Sequence, residues 1–202
     1  MNLSKKNIFW QQSSIKLENR QIKNGHAGAV LWFTGLSSSG KSTLAHNVEK
    51  HLFDLGMQVY VLDGDNVRHG LCGDLGFSVE DRIENIRRIS EVSKLFMNAG
   101  FIVLTAFIAP YQIQRKRAKK LIGTTNFLEI YCQCPLEVCE ERDVKGLYKQ
   151  ARNGKIKDFT GISSCYEEPL SPDLAVNTAQ LSLEESTNKV INLLQNRGII
   201  HG

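Results

Sequence analysis

The residues Gly35-Leu36-Ser37-Ser38-Ser39-Gly40-Lys41-Ser42 have the types and the spacing needed to bind the phosphates of a nucleotide. They match the pattern G-x-x-x-x-G-K-[ST], in which backbone N–H groups surround a phosphate because the glycines place no Cβ in the way. A lysine in this pattern reaches the outer phosphates, and its serine hydroxyl ligates Mg²⁺. We therefore predict that residues 35–42 bind a nucleotide, that Lys41 is catalytic and that Ser42 is a metal ligand.

The segments on either side of this phosphate loop predict the elements that must hold it. Ala29–Thr34 is apolar almost throughout and predicts a buried strand, and residues 42–55 predict a helix that ends at Gly56. The start of that helix adds positive dipole potential where the phosphate would bind. The alternative is a chance turn rich in glycine and serine, which has no reason to stand between a strand and a helix.

Strand and helix patterns alternate along the rest of the chain. Runs rich in Val, Ile, Leu and Phe predict further strands, and apolar positions spaced by three and four predict helices. Strands are expected at residues 58–62, 101–107, 127–132 and 174–177, and helices at 79–99, 113–122, 136–142 and 183–196. This order predicts an α/β fold with a parallel sheet of about five strands flanked by helices. Ligands are then expected at the carboxyl ends of the strands.

The chain divides into an extension and one domain. Residues 1–28 are polar and are assigned as an N-terminal extension, and residues 29–202 as a single domain. Within this domain, residues 143–172 contain three glycines and five cations, but no long apolar period. Such a segment is either a loose surface insertion or a mobile lid. Its cations and its position near the nucleotide side favour a lid.

Composition argues against several other classes of protein. The 202 residues are 42% hydrophobic and contain no apolar run of membrane-span or signal-peptide type, so we expect a cytoplasmic protein with no membrane partner. The five cysteines include no C-x-x-C pair, which favours reduced thiols over a metal site. The net charge of +4 is mild, and the basic run at residues 115–120 is expected to be a solvated helix face rather than a nucleic-acid site.

Two aspartates follow the second predicted strand. Asp63 stands at the end of that strand, and Asp65 comes two residues later. Phosphoryl transfer needs a carboxylate that holds Mg²⁺ or accepts a proton, so we predict that Asp63 is a metal ligand and that both aspartates are catalytic. Either could instead cap a short segment at residues 66–71, an alternative that suits Asp65 better than Asp63.

Longer runs of residues are more specific than the phosphate loop, which indicates only a nucleotide. They are Leu62-Asp63-Gly64-Asp65-Asn66-Val67-Arg68-His69-Gly70-Leu71, Asp74-Leu75-Gly76-Phe77-Ser78, Asp81-Arg82, Glu84-Asn85, Arg142-Asp143-Val144-Lys145-Gly146-Leu147-Tyr148 and Phe159-Thr160-Gly161-Ile162, preceded by Trp10, Arg20 and Gly25-His26. Together they resemble the adenylyl-sulfate kinase family over nearly the whole chain. That family has a three-layer P-loop kinase fold. It transfers the γ-phosphate of ATP to the ribose 3′-hydroxyl of adenylyl sulfate, giving ADP and 3′-phosphoadenylyl sulfate in sulfate assimilation.

The resemblance implies how the site is divided between two nucleotides. Residues 35–43 and Mg²⁺ would hold ATP, Arg142 would flank its base, and Asp63 would orient a metal-bound water or accept the 3′-hydroxyl proton. The residues implied for adenylyl sulfate are Asp65, Arg68, Phe77, Arg82, Asn85, Ile108, Ala109, Lys145, Leu147 and Phe159. The two arginines suit the phosphosulfate, and the two phenylalanines would sandwich the adenine. Without the resemblance, Arg82 is as well explained by a helix surface pair, and the phenylalanines by core packing.

Two positions depart from the family pattern. Ala109 stands in the run Phe107-Ile108-Ala109-Pro110 where the family often has a serine, which is phosphorylated in some members. Because alanine has no hydroxyl, we expect direct in-line transfer from ATP; the alternative is a catalytically weakened homologue that binds both nucleotides. Ser38 lies at a variable position of the phosphate loop, and a positive φ there would strain it.

Three rival functions share some of these features. Another small P-loop kinase, for gluconate, shikimate or a nucleoside monophosphate, would have the loop and the lid without the longer runs. A GTP-driven switch would need an Asn-Lys-x-Asp run, which this sequence lacks. A silent nucleotide-binding subunit would have no need of Lys41, Ser42 and Asp63. The resemblance also implies a homodimer, and functional coupling to ATP sulfurylase is a further expected partnership.

Overall fold

The computed structural model describes residues 8–201, and every predicted strand and helix is present with each end within one residue of its predicted position. The strands are β1 (Ala29–Thr34), β2 (Val59–Asp63), β3 (Ile102–Ala106), β4 (Phe127–Gln133) and β5 (Leu174–Asn177). The helices are α1 (Leu17–Asn24), α2 (Lys41–Asp54), α3 (Val79–Asn98), α4 (Gln112–Ile122), α5 (Leu136–Arg142), α6 (Leu147–Arg152) and α7 (Leu183–Asn196). A 3₁₀ turn, Asn66–His69, follows β2.

The five strands form one parallel sheet in the order β2-β3-β1-β4-β5. Their register places Phe33 of β1 opposite Ala106 of β3 and Ile130 of β4. The carboxyl ends of all five strands therefore meet at one edge of the sheet. The loops that follow β1, β2 and β3 converge there, as expected for a ligand site in an open α/β sheet.

Helices cover both faces of the sheet and complete three layers. α2 and α7 pack on one face through residues such as Leu44, Leu52 and Leu194, which are at most 1% exposed. α3 and α4 pack on the other face through Ile89 and Ala118. Because both faces are covered, β1 is apolar at nearly every position instead of alternating. Within residues 8–201, no helix is both long and apolar enough to cross a bilayer.

Two helices, α1 and α6, were not predicted from the sequence. α1 buries none of its residues, so it has no apolar stripe to reveal it. α6 has only six residues; it begins after Gly146, which adopts a left-handed φ of 65°, and it buries Tyr148 and Ala151. Both helices are too short for periodicity to identify them.

The predicted extension contacts the rest of the fold near its end. The Ala27 N–H donates to the Ile199 carbonyl over 2.8 Å, and the Asn24 amide donates to the Gly100 carbonyl over 3.0 Å. His26 is 3% exposed and accepts the Gln58 N–H at its Nε2. Residues 1–7 of the extension and residue 202 lie outside the described residues, and the domain boundary at residue 28 stays a prediction.

The basic run on α4 is not a uniformly solvated face, so that prediction was wrong for its first residue. Arg115 is 2% exposed and forms an ion pair with Glu129 over 2.7 Å. Lys119 lies 3.4 Å from Asp173, whereas Arg117 is exposed. The helix turns Arg115 inwards because α4 presents its buried stripe at this position. The five cysteines are free thiols, and Cys165 alone among them is exposed.

Candidate active site

A cavity of about 1080 Å³ lies at the carboxyl edge of the sheet. Its walls come from the phosphate loop, from the segments that follow β2 and β3, from the start of α3 and from the predicted lid. It is lined by these residues named from the sequence: Ser37, Ser38, Gly40, Lys41, Ser42, Thr43, Asp63, Asp65, Arg68, Phe77, Arg82, Asn85, Ile108, Ala109, Arg142, Lys145, Leu147 and Phe159. Residues from distant parts of the chain therefore meet around one space that is large enough for small-molecule ligands.

Three predicted residues of the phosphate loop do not line this cavity: Gly35, Leu36 and Ser39. Gly35 instead permits a close approach, because a Cβ there would lie 2.6 Å from the Cys132 carbonyl oxygen and 2.7 Å from Ser39 Oγ. The Leu36 carbonyl accepts the Ser39 N–H over 3.2 Å and closes the turn. These residues thus form the framework of the loop behind its exposed face.

The phosphate loop carries backbone strain at a position that faces the cavity. Gly40 has a φ of 88° and caps α2, and glycine adopts such a conformation freely. Ser38 has a φ of 57° without that freedom. The strain expected at Ser38 is therefore present, and it costs about 1 kcal/mol by comparison with other non-glycine residues in this region.

Lys41 is a buried charged residue of the phosphate loop. It is 8% exposed, and its Nζ donates to the Leu36 carbonyl over 2.5 Å. Burial lowers the pKa of Lys41 to about 8, although the nearby Asp63 carboxylate acts in the opposite direction. The ammonium group is therefore held where a further anion would stabilise its charge.

Ser42 and Asp63 meet at the floor of the cavity. Ser42 Oγ donates to Asp63 Oδ2 over 2.6 Å, and Asp63 is 7% exposed. The other carboxylate oxygen of Asp63 accepts the Asp65 N–H over 2.9 Å. The alternative that Asp65 caps the following segment is therefore not observed: Asp65 precedes the 3₁₀ turn but makes no side-chain cap there, and the Asp63 carboxylate accepts its N–H.

Arg68 and Phe77 lie together on one wall. The Arg68 guanidinium stands 4.3 Å from the centre of the Phe77 ring and donates to the carbonyls of Leu75 and Gly76 over 3.0 Å each. Phe77 is 66% exposed, which argues against the core-packing alternative for this residue. Its flat face is thus held at the cavity by a cation beneath the ring.

Arg82 and Asn85 project from the first turns of α3. Ser78 caps this helix by accepting the Asp81 N–H over 3.1 Å. Arg82 donates to Thr160 Oγ1 over 2.7 Å and to the Asp158 carbonyl over 2.5 Å, so it contacts the predicted lid. Asn85 is 5% exposed, and within the described residues its Oδ1 has no hydrogen-bond partner. Because a buried amide oxygen normally accepts a hydrogen bond, this unpaired oxygen indicates that a polar ligand binds beside Asn85.

The predicted lid covers the cavity and contacts both of its sides. The Tyr148 hydroxyl donates to the Ser37 carbonyl over 3.0 Å, and Lys145 forms an ion pair with Asp65. Phe159 is 9% exposed and packs edge-on against Tyr148, with ring centres 5.0 Å apart. Phe159 thus belongs to a small core of the lid as well as to the cavity wall, and its contact with adenine stays a prediction.

Arg142 and Thr178 form a pair that the sequence did not fully reveal. Arg142 Nη2 donates to the Thr178 carbonyl over 2.6 Å, and the Thr178 hydroxyl donates to the Ser39 carbonyl over 2.8 Å. Thr178 was not predicted, although it directly follows β5 at the carboxyl edge of the sheet. That position was the available signal. His46, Lys155, Ile156 and Lys157 also line the cavity without having been predicted.

The segment after β3 borders the cavity with backbone groups and apolar side chains. Ala109 is 2% exposed and has a φ of 43°, in the left-handed region. The Ile108 carbonyl accepts the Thr34 hydroxyl over 2.6 Å, and the Ala109 carbonyl accepts Arg115 Nη1 over 2.6 Å. Ala109 thus lines the cavity in a conformation fixed by its neighbours.

Comparisons with known proteins are consistent with this geometry. Residues 27–177 match the family model described as "Adenylylsulphate kinase". The chain is 57% identical to the adenylyl-sulfate kinase of Acaryochloris marina, over 99% of this chain and 98% of that protein. It is also 57% identical to the probable adenylyl-sulfate kinase of Bacillus subtilis, over 96% of this chain and 98% of that protein.

A solved structure has the same fold with its ligands named. It is the Mycobacterium tuberculosis APS kinase CysC in complex with AMPPNP and APS. The TM-score is 0.81 at 48% sequence identity, and the match covers 84% of this chain and 99% of that chain. At 48% identity, the two proteins share a family and not only a fold.

Proposed function

The chain belongs to the adenylyl-sulfate kinase family, and from that premise we propose how its cavity performs the family's reaction. The protein is a phosphotransferase that uses ATP to phosphorylate adenylyl sulfate to 3′-phosphoadenylyl sulfate. The γ-phosphate would pass directly to the ribose 3′-hydroxyl. ATP would bind on the phosphate-loop side, and the adenine of adenylyl sulfate would lie between Phe77 and Phe159.

One observation carries this assignment: the phosphate loop, Asp63 and the aromatic pair line a single cavity. Direct transfer requires the donor phosphate and the acceptor oxygen to lie in line at close range, with solvent excluded. A cavity shared by the two sets of residues, with a lid across both, meets that requirement. Separate pockets would have required a carrier group.

On the ATP side, Lys41 and the N–H groups of the phosphate loop would bind the β- and γ-phosphates. Arg142, fixed against Thr178, would flank the adenine. The charge that develops on the γ-phosphate in the transition state would then meet the Lys41 ammonium. Because the side chain is largely withdrawn from water, this electrostatic stabilisation would be strong.

A Mg²⁺ ion is the implied cofactor, and the oxygen ligands near the phosphate loop fit it. Ser42 Oγ and Asp63 Oδ2 lie 2.6 Å apart at the cavity floor, and hydroxyl and carboxylate oxygens are the ligands that Mg²⁺ prefers. Ser42 would bind the ion, with Asp63 holding it directly or through water. When bound, Mg²⁺ neutralises phosphate charge. Asp63 could also accept the 3′-hydroxyl proton, and both roles place its carboxylate at the reaction centre.

On the acceptor side, the substrate's adenine would stack between Phe77 and Phe159, and Asn85 would hydrogen-bond nearby. Arg68, Arg82 and Lys145 supply the positive charge that suits a phosphosulfate. Arg82 now donates to Thr160 and the Asp158 carbonyl, and Lys145 pairs with Asp65. Binding would therefore exchange contacts within the protein for contacts to the substrate, which links substrate binding to the position of the lid.

Ala109 supports transfer without a phosphorylated enzyme. Its side chain is a methyl group, so it can form no phosphoester, and its backbone is held by Arg115. The segment at Ile108 and Ala109 would therefore contribute shape and backbone polarity to the acceptor site. Asp65 and Leu147 complete the wall on the lid side.

The dimer is a proposal drawn from the resemblance, and the cytoplasmic location is one drawn from composition. We infer a homodimer, with residues 1–28 at the subunit contact, a cytoplasmic location and functional coupling to ATP sulfurylase. Sedimentation of the full chain and of a chain that begins at residue 29 tests the first point. Equal sedimentation as monomers would contradict it.

The decisive experiment combines the pure protein, ATP, Mg²⁺ and adenylyl sulfate, with identification of the product by mass spectrometry and NMR. The expected product carries one added phosphate at the 3′ position, and ADP forms in equal amount. Gluconate, shikimate and adenosine monophosphate serve as alternative acceptors and should give no product. Phosphorylation of one of these instead of adenylyl sulfate would overturn the proposal, as would ADP formation that does not depend on any acceptor.

A further inference from the structure

Arg115 is a buried cation that the reaction as described does not use. It is 2% exposed and lies on α4, beneath the segment that follows β3. All three nitrogens of its guanidinium donate hydrogen bonds: Nε to Glu129 over 2.7 Å, Nη1 to the Ala109 carbonyl over 2.6 Å and Nη2 to the Glu167 carbonyl over 2.7 Å. Burying a charged group is costly unless it is fully paired, and this arrangement meets that condition.

Two of these three bonds end on backbone that borders the active site. Ala109 lines the cavity, and Glu167 belongs to the C-terminal part of the predicted lid. The guanidinium thus joins two segments that are 58 positions apart in the sequence. A planar fork with donors in fixed directions suits this role, and a lysine could not reach all three acceptors at once.

Each of the three carbonyls from Ile108 to Pro110 accepts a hydrogen bond from another part of the chain. The Ile108 carbonyl accepts the Thr34 hydroxyl over 2.6 Å, and the Pro110 carbonyl accepts the Glu167 N–H over 2.8 Å. The Ala109 carbonyl between them is held by Arg115. Ala109 has a φ of 43°, which alanine avoids unless its surroundings enforce it. Arg115 and Glu167 thus enforce a strained turn that the sequence alone would not adopt.

The base of the lid depends on the same contacts. The Glu167 carboxylate accepts the Gln112 N–H over 2.7 Å, and the Gln112 amide donates to the Glu168 carbonyl over 2.9 Å. The Arg115 guanidinium also lies 5.8 Å from the centre of the Tyr166 ring. The C-terminal end of the lid is therefore attached to α4 and to the turn at Ala109 as one unit.

We propose that Arg115 is a positioning residue for adenylyl sulfate: it holds the turn at Ala109 in its cavity-facing conformation and ties the C-terminal end of the lid to that turn. This inference rests on the proposed function and adds a residue outside the cavity to it. Its effect falls on the acceptor side, because the contacts of Arg115 lie on the β3 side of the cavity. The phosphate loop is held by other contacts, among them those of Tyr148 and Thr178.

The test is the variant Arg115→Lys, with Arg117→Lys as its matched control on the exposed face of the same helix. Arg115→Lys keeps the charge near Glu129 and loses at least one of the two backbone bonds. We expect the KM for adenylyl sulfate to rise by about tenfold or more, the range associated with loss of a hydrogen bond from a charged group. The Kd for the ATP analogue AMPPNP should change by less than about twofold. Arg117→Lys should leave both constants unchanged.

A second variant separates positioning from simple loss of stability. Glu129→Gln removes the ion pair but leaves the bonds from Arg115 to Ala109 and Glu167 in place. It should lower the melting temperature while changing the KM for adenylyl sulfate by less than about threefold, since the two backbone acceptors are retained. Limited proteolysis of residues 143–172 provides an independent measure: adenylyl sulfate should protect this segment in the unmodified protein and in Glu129→Gln, and less in Arg115→Lys.

Three outcomes would overturn the inference. They are an unchanged KM for adenylyl sulfate in Arg115→Lys, a parallel loss of affinity for both nucleotides, or an equal selective loss in Glu129→Gln. Failure of the unmodified protein to bind adenylyl sulfate at all is a different result. It would contradict the proposed function, and it is measured first, by calorimetry, before any variant is compared.

Discussion

The two halves of the cavity are built in different ways. On the ATP side, the phosphate loop is formed by residues 35–43, which are adjacent in sequence and are placed by β1 and α2. On the acceptor side, the turn at Ala109 keeps its shape through Thr34, Arg115 and Glu167, none of which is its neighbour in the chain. The first half is a local motif, whereas the second is a product of tertiary contacts.

This difference predicts how each half responds to substitution. A local motif should lose its function when one of its own residues is changed. Only restoration of that residue should restore the function. A turn held by distant partners should lose its conformation when any of these partners is changed. A change of its own side chain should have a smaller effect. The phosphate loop and the turn each contain a non-glycine residue with a positive φ, Ser38 at 57° and Ala109 at 43°, so the backbone strain of the two segments can be compared directly.

The largest effect is expected at the local motif. Lys41→Ala removes the buried ammonium group that we propose contacts the transferring phosphate, and kcat should fall by about 10³-fold, as for other preorganised charges in phosphoryl transfer. Steady-state assays of ADP release measure this. Lys50→Ala, on the exposed side of α2, is the control and should change kcat by less than about twofold. A comparable loss in both variants would argue against a role for Lys41 in transfer.

The second largest effect is expected for the aromatic residues on the acceptor side of the cavity. Phe77 is 66% exposed and contributes little to the core, so Phe77→Ala should raise the KM for adenylyl sulfate by about tenfold through lost stacking. Its melting temperature should stay close to that of the unmodified protein. Phe159→Ala should raise the same KM and also destabilise the lid, because Phe159 packs against Tyr148. An unchanged KM in Phe77→Ala would contradict the sandwich.

A pH dependence of similar size should appear only on the ATP side. Burial lowers the pKa of Lys41 to about 8, so the free protein loses this charge as the pH rises through 8. Bound phosphate favours the charged form, so affinity for AMPPNP should weaken by about tenfold between pH 7 and pH 9, and binding near pH 8 should take up protons. Calorimetry in buffers of different ionisation enthalpy measures this uptake. The same uptake in Lys41→Met would assign it to another group.

A smaller effect is expected at the turn itself. Ala109→Ser adds a hydroxyl where the family often has one, yet direct transfer does not use it, so kcat should stay within about threefold of the unmodified value. Mass spectrometry after turnover should find no phosphate on the protein. A large rise in kcat, or a phosphoserine at this position, would mean that the alanine disables the enzyme.

The smallest effect concerns backbone strain in the phosphate loop. Ser38→Gly relieves the positive φ and should raise the free energy of unfolding by up to about 1 kcal/mol. Ser37→Gly is the matched control: Ser37 lies outside the left-handed region, so glycine there should only add flexibility and lower stability slightly. Thermal unfolding followed by circular dichroism compares the two. Equal shifts of the same sign would show that strain at Ser38 is not the cause.

The sequence predicted the parts of the molecule whose determinants are local. The strands and the longer helices followed from apolar runs and from apolar positions spaced by three and four. The phosphate loop followed from its spacing, and Asp63 from its place at the end of a strand. Each of these signals lies within a few residues of the feature that it predicts.

What the sequence did not predict depends on contacts between distant residues. Arg115 stands in a basic run that is typical of a solvated helix face. Its burial is favourable because its guanidinium donates to Glu129, Ala109 and Glu167, which lie elsewhere in the sequence. Thr178 acquires its role through Ser39, which is 139 positions away. The alternative of a cap by Asp65 was not resolved by the sequence: Asp65 precedes the 3₁₀ turn without a side-chain cap, and its N–H donates to the Asp63 carboxylate.

The distribution of charge around the cavity has a consequence for how substrates arrive. The cavity is lined by seven lysine and arginine side chains and by two aspartates, an excess larger than the formal net charge of +4 of the entire chain. The formal charges of the remaining residues therefore nearly cancel. Diffusing polyanions are drawn to a single opening, so encounter rates should fall as ionic strength rises and screening shortens the range of attraction.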